Sequence, residues 1–597
     1  WMNLTLTTLD QVAQSSRKGG LAERGVPAAL RDHWYTRLAT ALTKVATSKE
    51  IPMTLEDLEQ ICRRKQNIVY VFNASGYHHM KHFISLLMYY QNGEGKLPAD
   101  KVAIVLAFVG LDDLGPELMA IALKQPPEIL LPLMLGWLNQ RAVLTKLGED
   151  NRARLLSSGH LLANATAENR HIEQIVNAWM YTSYASAKDK HKIKESFNYL
   201  LGDLCRNASI LPGCKPYQCR ERPRILVIHE RFIKQSAMFR CYAPSIRTLN
   251  TRFEVIAIAE KEQIDDASDS IFDEVLTLPA GTKKIPAIVA QIEKLQPDLI
   301  YYPSLGMSHW TVMLAQLRLA PIQIMSHGHP ATSMSSVIDY AHIAPLEGDP
   351  TNLHSEKLII GPTYAGFSAH SDLPKTLPPL VPPSDREVRV AVNSKVMKLS
   401  SRLIEICKRL TLATKTPVRF SFFPGERGLF FDGLERALKA ELPQAEIMPY
   451  INYDQFLAEM CRCDLALAAF PFGNTNSTVD TCLLGLPTIA HFGPESPAQS
   501  DKLVLEAAGF PTSLVCKTDE EYFSTALELI NDKEKRANIT EGLTREAVRS
   551  RLFEITGQNA PDPTFGETLW NLFRKHESLQ STDKRLFYAY ELADFPE

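Results

Sequence analysis

Twice along this chain, short apolar runs rich in β-branched and aromatic residues alternate with segments of helical periodicity. In the first stretch the runs are RILVIHE, FEVIAIAE, DLIYYPS and PIQIMSH, with KIPAIVAQIEKL and HWTVMLAQLRLA between them. In the second they are VRVAVNS, VRFSFFP, AEIMPYI, LALAAFP and TIAHFG, each followed by a helical segment. Strand and helix in alternation imply a parallel sheet covered by helices, because parallel neighbours need a crossover between them. Between the two stretches lie residues 368–387, with Pro374, Pro378, Pro379, Pro382 and Pro383. Prolines remove donors and restrict their neighbours, so this reads as an extended linker. The expectation is two doubly wound units joined by a hinge, with one cleft at the carboxyl ends of their strands.

Ahead of them, from about residue 27 to 205, apolar residues recur at helical spacing. Leu30, Trp34, Leu38 and Leu42 are one such set, and Ile172, Ile175, Ala178 and Trp179 another. The resulting division is an all-α domain over 1–220, α/β lobes over 221–385 and 386–560, and a C-terminal helix and tail over 561–597. With 65 Lys+Arg against 68 Asp+Glu, the net charge of −3 points to neither nucleic acid nor a membrane surface. The longest uncharged apolar runs, such as VAIVLAFVGL, fall short of the roughly 20 residues a spanning helix needs. The 10 cysteines lack zinc-site spacing, even in the pairs Cys461/Cys463 and Cys214/Cys219, and no secretory signal is visible. A cytoplasmic protein with free thiols and no membrane insertion is expected.

The stretch FPFGNTNSTVD, residues 470–480, carries the most specific chemistry. An apolar strand leads into a turn of Gly473, Asn474, Thr475, Asn476 and Ser477, and a short helix follows. Such a turn aims backbone N–H groups at an anion, and Asp480, one helical turn on, is placed to hold a ribose diol. Lys398 and Lys395 follow the first strand of the second unit. An ammonium group there neutralises a diphosphate leaving group, the alternative being a solvated lysine at a helix start. Glu426 and Arg427, in FFPGERG, line the same cleft edge. In the first unit, His327 and His329 flank Gly328 at a strand end and suggest a substrate or phosphate contact. His229 and Glu230 end the first strand, where either is placed to accept a proton or, for the carboxylate, to cap a neighbouring turn. His78 and His82 lack the glutamate of a zinc-protease motif and read as a surface or partly buried cluster. Asp112 and Asp113, being adjacent, point to different sides rather than forming a dyad. No metal site is expected.

Taken together, APIQIMSHGHPATS, VMKL and FPFGNTNSTVD resemble the bacterial cytoplasmic N-glycosyltransferases of high-molecular-weight adhesins, relatives of the O-linked N-acetylglucosamine transferase. The resemblance is strongest over residues 224–531. It implies a GT-B fold of two Rossmann-like lobes preceded by an all-α domain, and a metal-independent, inverting transfer from a UDP-hexose, with no cofactor. It implies that Lys398 contacts the diphosphate, that 474–476 bind phosphate and that Asp480 holds the ribose. The acceptor would be the Asn side chain in Asn-X-Ser/Thr sequons of an adhesin. Three positions depart from the family pattern: Ser236, in SAMFR, stands where the family has a histidine near the acceptor, Tyr450 where it has a second histidine, and Glu426 where it has a glutamine. Three other readings stay open: a UDP-sugar epimerase of the same fold, a non-catalytic binder of adhesin or UDP-sugar, and O-linked transfer to Ser/Thr.

Overall fold

The computed structural model describes residues 2–48, 53–83, 85, 99–210, 212–213, 220–279, 281, 284–326, 328, 331–361, 366–381, 387–553, 555 and 561–596. Within these, two wholly parallel sheets form the centre of the molecule. The first has eight strands: β1 (Arg224–Ile228), β2 (Glu254–Glu260), β3 (Glu274–Leu278), β4 (Leu299–Tyr302), β5 (Ile322–Ser326), β6 (Tyr340–Ile343), β7 (Lys357–Ile360) and β14 (Leu586–Tyr588). Their spatial order is β14-β7-β6-β5-β4-β1-β2-β3. The second has six: β8 (Val388–Val392), β9 (Val418–Phe422), β10 (Glu446–Ile447), β11 (Leu465–Leu467), β12 (Thr488–His491) and β13 (Val515–Cys516). Their order is β10-β9-β8-β11-β12-β13. The central strands β1, β4, β5, β8 and β11 are almost fully buried, which is why they read as unbroken apolar runs.

The C-terminal segment returns to the first lobe. Thr564 closes a reciprocal capping box with Glu567 at the start of the helix Phe565–Arg574. That helix buries Phe565, Leu569 and Leu572 in the first lobe's core, and β14 then pairs with β7. The linker is tied down over 368–381: Ser368 N–H donates to the Arg240 carbonyl (2.8 Å), Val381 N–H to Cys461, and the Arg545 guanidinium to the Pro378 carbonyl.

The all-α region docks on both lobes. On the second lobe, the helix Gly428–Glu441 packs against the helices Lys65–Ala74 and Met2–Arg17. A Cβ on Gly433 would lie 2.7 Å from the Tyr70 carbonyl oxygen, so glycine sets that approach. Asp432 receives a bidentate pair from Arg31 and the Tyr35 hydroxyl. Glu495 is buried between Lys190 (2.7 Å) and His191 (3.1 Å). On the first lobe, buried Lys194 donates to the Thr332 carbonyl (2.7 Å) while its ammonium lies 4.0 Å from the Trp179 ring centre. Asn198 donates to the Ser333 and Met334 carbonyls.

Candidate active site

The turn at 473–477 sits where β11 ends, beside the carboxyl end of β8, and a network of side chains fixes its shape. Asp501 accepts the N–H groups of Asn474 (2.8 Å) and Thr475 (2.7 Å) and the Thr478 hydroxyl (2.7 Å). The Asn474 amide is held at both ends, donating to Asn393 Oδ1 and accepting from the Ser394 hydroxyl. Thr475 takes a positive φ of 52° and bonds to Ser500. A non-glycine residue there is strained, and the anchors around it hold it in place. Gly473 admits no side chain, since a Cβ would lie 2.7 Å from the Pro497 carbonyl oxygen and 2.8 Å from Asp501 Oδ2.

This corrects the expected division of labour within the turn. The N–H groups of Asn474 and Thr475 and the Asn474 amide are committed to the protein's own Asn393, Ser394 and Asp501, so they form the frame of the site. The N–H groups of the turn not taken up in this way are those at the start of the helix Asn476–Leu484, which have no intrahelical acceptor. Lys398 lies at the entry to the turn: its Nζ donates to the Gly473 carbonyl (2.5 Å) and lies 4.9 Å from the Phe472 ring centre. Burial pushes this ammonium down from 10.5 to about 8, although Asp501 and Cys241 pull the other way and Lys395 adds to the drop. The charge is thus held in a poorly solvated place, where it acts most strongly on a bound anion.

Asp480 lies one turn further along and is 4% exposed. Its Oδ1 accepts from Arg240, across the cleft on the first-lobe helix Ala237–Arg247, and from the Tyr453 hydroxyl, each at 2.8 Å. His370 stacks on Tyr453 with ring centres 3.8 Å apart. Asn476, one turn before Asp480, donates to Cys241 Sγ of the same first-lobe helix (3.2 Å). The lobes therefore meet helix to helix at the expected nucleotide site. Sequence reasoning did not single out Arg240, Asp501 or Tyr453. The only signal for Arg240 was its place four residues after Ser236.

Glu426 and Tyr450 form a neighbouring group. Buried Glu426 is ion-paired with Arg141 from the all-α region. Burial raises its carboxyl above the ordinary value, against the pull of Arg141 and Lys395. Tyr450 is 45% exposed, its N–H donates to the Glu426 carbonyl, and the Arg427 guanidinium covers its ring at 3.9 Å. These residues wall a cavity of about 1140 Å³ between the all-α region and both lobes, which Arg17, Arg63, Asn177 and His309 also line.

The first-lobe candidates are placed differently from expectation. His229 is shut into an apolar pocket, stacked 4.0 Å from Phe232 with Phe272 at its edge, and burial lowers its imidazole to about 3. It has no opening to the cleft edge and does not serve as a base there. Glu230 is a turn cap: it accepts from the Ser304 and Thr311 hydroxyls and from the N–H groups of Gly306, Met307 and Ser308. Ser236 is the N-cap of the helix Ala237–Arg247, accepting from Phe239 N–H (3.1 Å). Gly328 makes its close approach within its own lobe, since a Cβ would come within 2.8 Å of Ser304 Cβ. His327 and His329 lie outside the described residues, as do Cys214 and Cys219. In the all-α region His82 bonds to Thr43 (3.0 Å) and stacks on Tyr77. Asp112 caps 144–145 while Asp113 accepts from Met80 N–H, so they do face different ways. Among the described residues no group of three or more His, Cys, Asp or Glu is arranged to hold a metal ion, and no helix is long and apolar enough to cross a membrane.

Two parallel sheets, with the 473–477 turn at the carboxyl end of the second and a C-terminal segment returned to the first, give the chain a GT-B fold. The fold matches an O-GlcNAc transferase variant from Thermobaculum terrenum with a TM-score of 0.55, at 16% identity, over 92% of this chain and 97% of that one. In sequence the chain is 25% identical over 603 residues to the UDP-glucose:protein N-β-glucosyltransferase of Actinobacillus pleuropneumoniae serotype 5b (strain L20), covering 94% of this chain and 93% of the relative. It is also 25% identical over 247 residues to the probable UDP-N-acetylglucosamine–peptide N-acetylglucosaminyltransferase SPINDLY of Solanum lycopersicum, over 39% of this chain and 26% of that one. No family model matches the chain. The likeness to the protein N-glucosyltransferases, read first from three motifs, thus runs along nearly the whole chain, the all-α region included.

Proposed function

We propose that the protein is a UDP-hexose-dependent protein N-glycosyltransferase, acting with inversion and without a metal ion on asparagines in Asn-X-Ser/Thr sequences of an adhesin-type protein in the cytoplasm. The observation that carries this reading is the hydrogen bond from Lys398 to the Gly473 carbonyl, which holds its ammonium at the turn leading into the helix Asn476–Leu484 of a GT-B fold. The full-length likeness to a protein N-glucosyltransferase supports the choice of donor and acceptor.

In this reading the acceptor amide nitrogen attacks the anomeric carbon from the face opposite UDP. The bond between that carbon and the β-phosphate oxygen breaks, and UDP leaves with the electron pair. The Lys398 ammonium and the helix start offset the negative charge that develops on the departing diphosphate, which removes the need for a metal. Asp480 holds the ribose. The acceptor nitrogen gives up its proton, and His329 is assigned that proton because His229 is enclosed and Ser236 is committed as a cap. The cavity beside Glu426 and Tyr450 leaves room for an extended acceptor segment.

The test is mass spectrometry of sequon peptides incubated separately with UDP-glucose, UDP-galactose and UDP-N-acetylglucosamine, with and without EDTA. A single hexose on asparagine, insensitive to EDTA, is the expected result. Sugar interconversion in the donor without acceptor would instead establish an epimerase. Modification on Ser/Thr, or none with any donor, would overturn the acceptor or the activity respectively.

A further inference from the structure

Arg240 poses a problem that stability does not answer. Its side chain is 4% exposed, and its Nε is buried with no acceptor among the described residues. A buried donor left unpaired destabilises the fold, and a buried ion pair seldom repays the desolvation of both charges. A well-packed apolar pair between these two helices would hold the lobes together at lower cost. The retained charge therefore needs another explanation, and its partner supplies one.

Both donors to Asp480, Arg240 and Tyr453, bond to the same oxygen, Oδ1. Oδ2 accepts no hydrogen bond from the described residues. A carboxylate clamped through one oxygen loses its rotational freedom and presents the other in a fixed direction. Removing Arg240 takes away one of the two donors that hold Oδ1, so the carboxylate regains rotation and its second oxygen loses its fixed direction. An ionised carboxylate is acceptor-only, which is what a diol with two hydroxyl donors requires.

We infer that Arg240 is a positioning residue contributed by the first lobe, which fixes Asp480 so that its second oxygen selects a nucleotide carrying a ribose diol. Discrimination of the ribose by the second lobe thus depends on a residue across the cleft, and binding of the nucleotide reports that the lobes are closed. Tyr453, which uses the same oxygen, is the second anchor, and His370 fixes Tyr453 by stacking on it. The inference rests on the nucleotide-sugar reading above, but it is tested without transfer.

The experiment is calorimetric titration of the full chain with UDP and with 2′,3′-dideoxy-UDP, for the wild type and for Arg240→Ala, Arg240→Lys and Tyr453→Phe, with thermal unfolding of each variant as a check on folding. The wild type should prefer UDP by tenfold or more. Arg240→Ala should bring the two affinities to within about threefold of each other while dideoxy-UDP binding changes little. Arg240→Lys should restore part of the preference, and Tyr453→Phe, which leaves the ion pair, should lower it partially. An undiminished preference in Arg240→Ala overturns the inference, because a merely structural residue weakens both ligands alike. If Arg240→Ala does not fold, an undiminished preference in both Arg240→Lys and Tyr453→Phe overturns it. Equal binding of the two nucleotides by the wild type overturns it too and leaves the transferase reading standing. No binding of UDP at all overturns both.

Discussion

Replacing Lys398 by methionine should move stability and activity in opposite directions. Burial lowers the Lys398 ammonium from 10.5 to about 8, a difference that corresponds to about 3 kcal/mol against the charged form at neutral pH. Its hydrogen bond to the Gly473 carbonyl returns about 1 kcal/mol. Methionine fills a similar volume without charge, so Lys398→Met should be about 2 kcal/mol more stable at pH 7, read from the urea midpoint. The sign with pH follows from the lowered value. Between about 8 and 10.5 the unfolded wild type binds more protons than the folded one, so wild-type stability rises across that window. The variant has no such term, and its advantage should shrink over the same window. Transfer should fall by about 10² to 10³, the loss typical of removing one donor aimed at developing charge. In the wild type, kcat/KM should decline through about pH 8 as Lys398 loses its proton, with about nine-tenths protonated at pH 7 and about one-tenth at pH 9. Transfer by Lys398→Met within tenfold of wild type would refute the catalytic assignment, and a less stable variant would refute the desolvation argument.

Asp501→Ala removes the acceptor of three hydrogen bonds in the turn and leaves buried donors unpaired. It should cost about 3 to 5 kcal/mol and weaken UDP at least tenfold by calorimetry, unless the turn keeps its shape without the carboxylate. Ser236→Ala removes a helix N-cap and should cost about 1 kcal/mol while leaving transfer unchanged; a collapse of transfer would show Ser236 to be more than a cap. Burial raises the Glu495 carboxyl, but Lys190 and His191 outweigh it and hold the group well below its ordinary 4.5. Its contribution is therefore present at neutral pH and lost only as the pH falls well below 4.5. Glu495→Gln, which leaves buried Lys190 its bonds to the Ser183 and Ala185 carbonyls but removes its counter-charge, should cost about 3 kcal/mol at pH 7 and expose the all-α region to limited proteolysis.

The residues that follow a local rule were legible in the sequence. β1, β2, β4, β5 and the five apolar runs of the second lobe emerge as strands because a buried parallel strand must be continuously apolar. The strands β3, β6, β7, β13 and β14 lie outside the runs read from the sequence, and each is completed by pairing with a neighbouring strand. Lys398 and the 473–476 turn meet because both follow strand ends in one sheet, which the alternation of strand and helix fixes.

Long-range pairing, by contrast, was decided by tertiary structure alone. Nothing local to Asp480 indicates that Arg240, 240 positions earlier, would take one of its oxygens, or that Asp501 would fill the amides of a turn built to look like an anion site. His229 and Glu230 show the same limit at adjacent positions. Both end β1, and one is closed in by Phe232 and Phe272 while the other caps the turn that follows β4. By itself the sequence determined two Rossmann-like lobes, the turn and its lysine, because periodicity and strand-end position are properties of neighbouring residues. Which polar groups stay available to a ligand was settled only by folding, because each buried donor and acceptor must first find a partner within the protein.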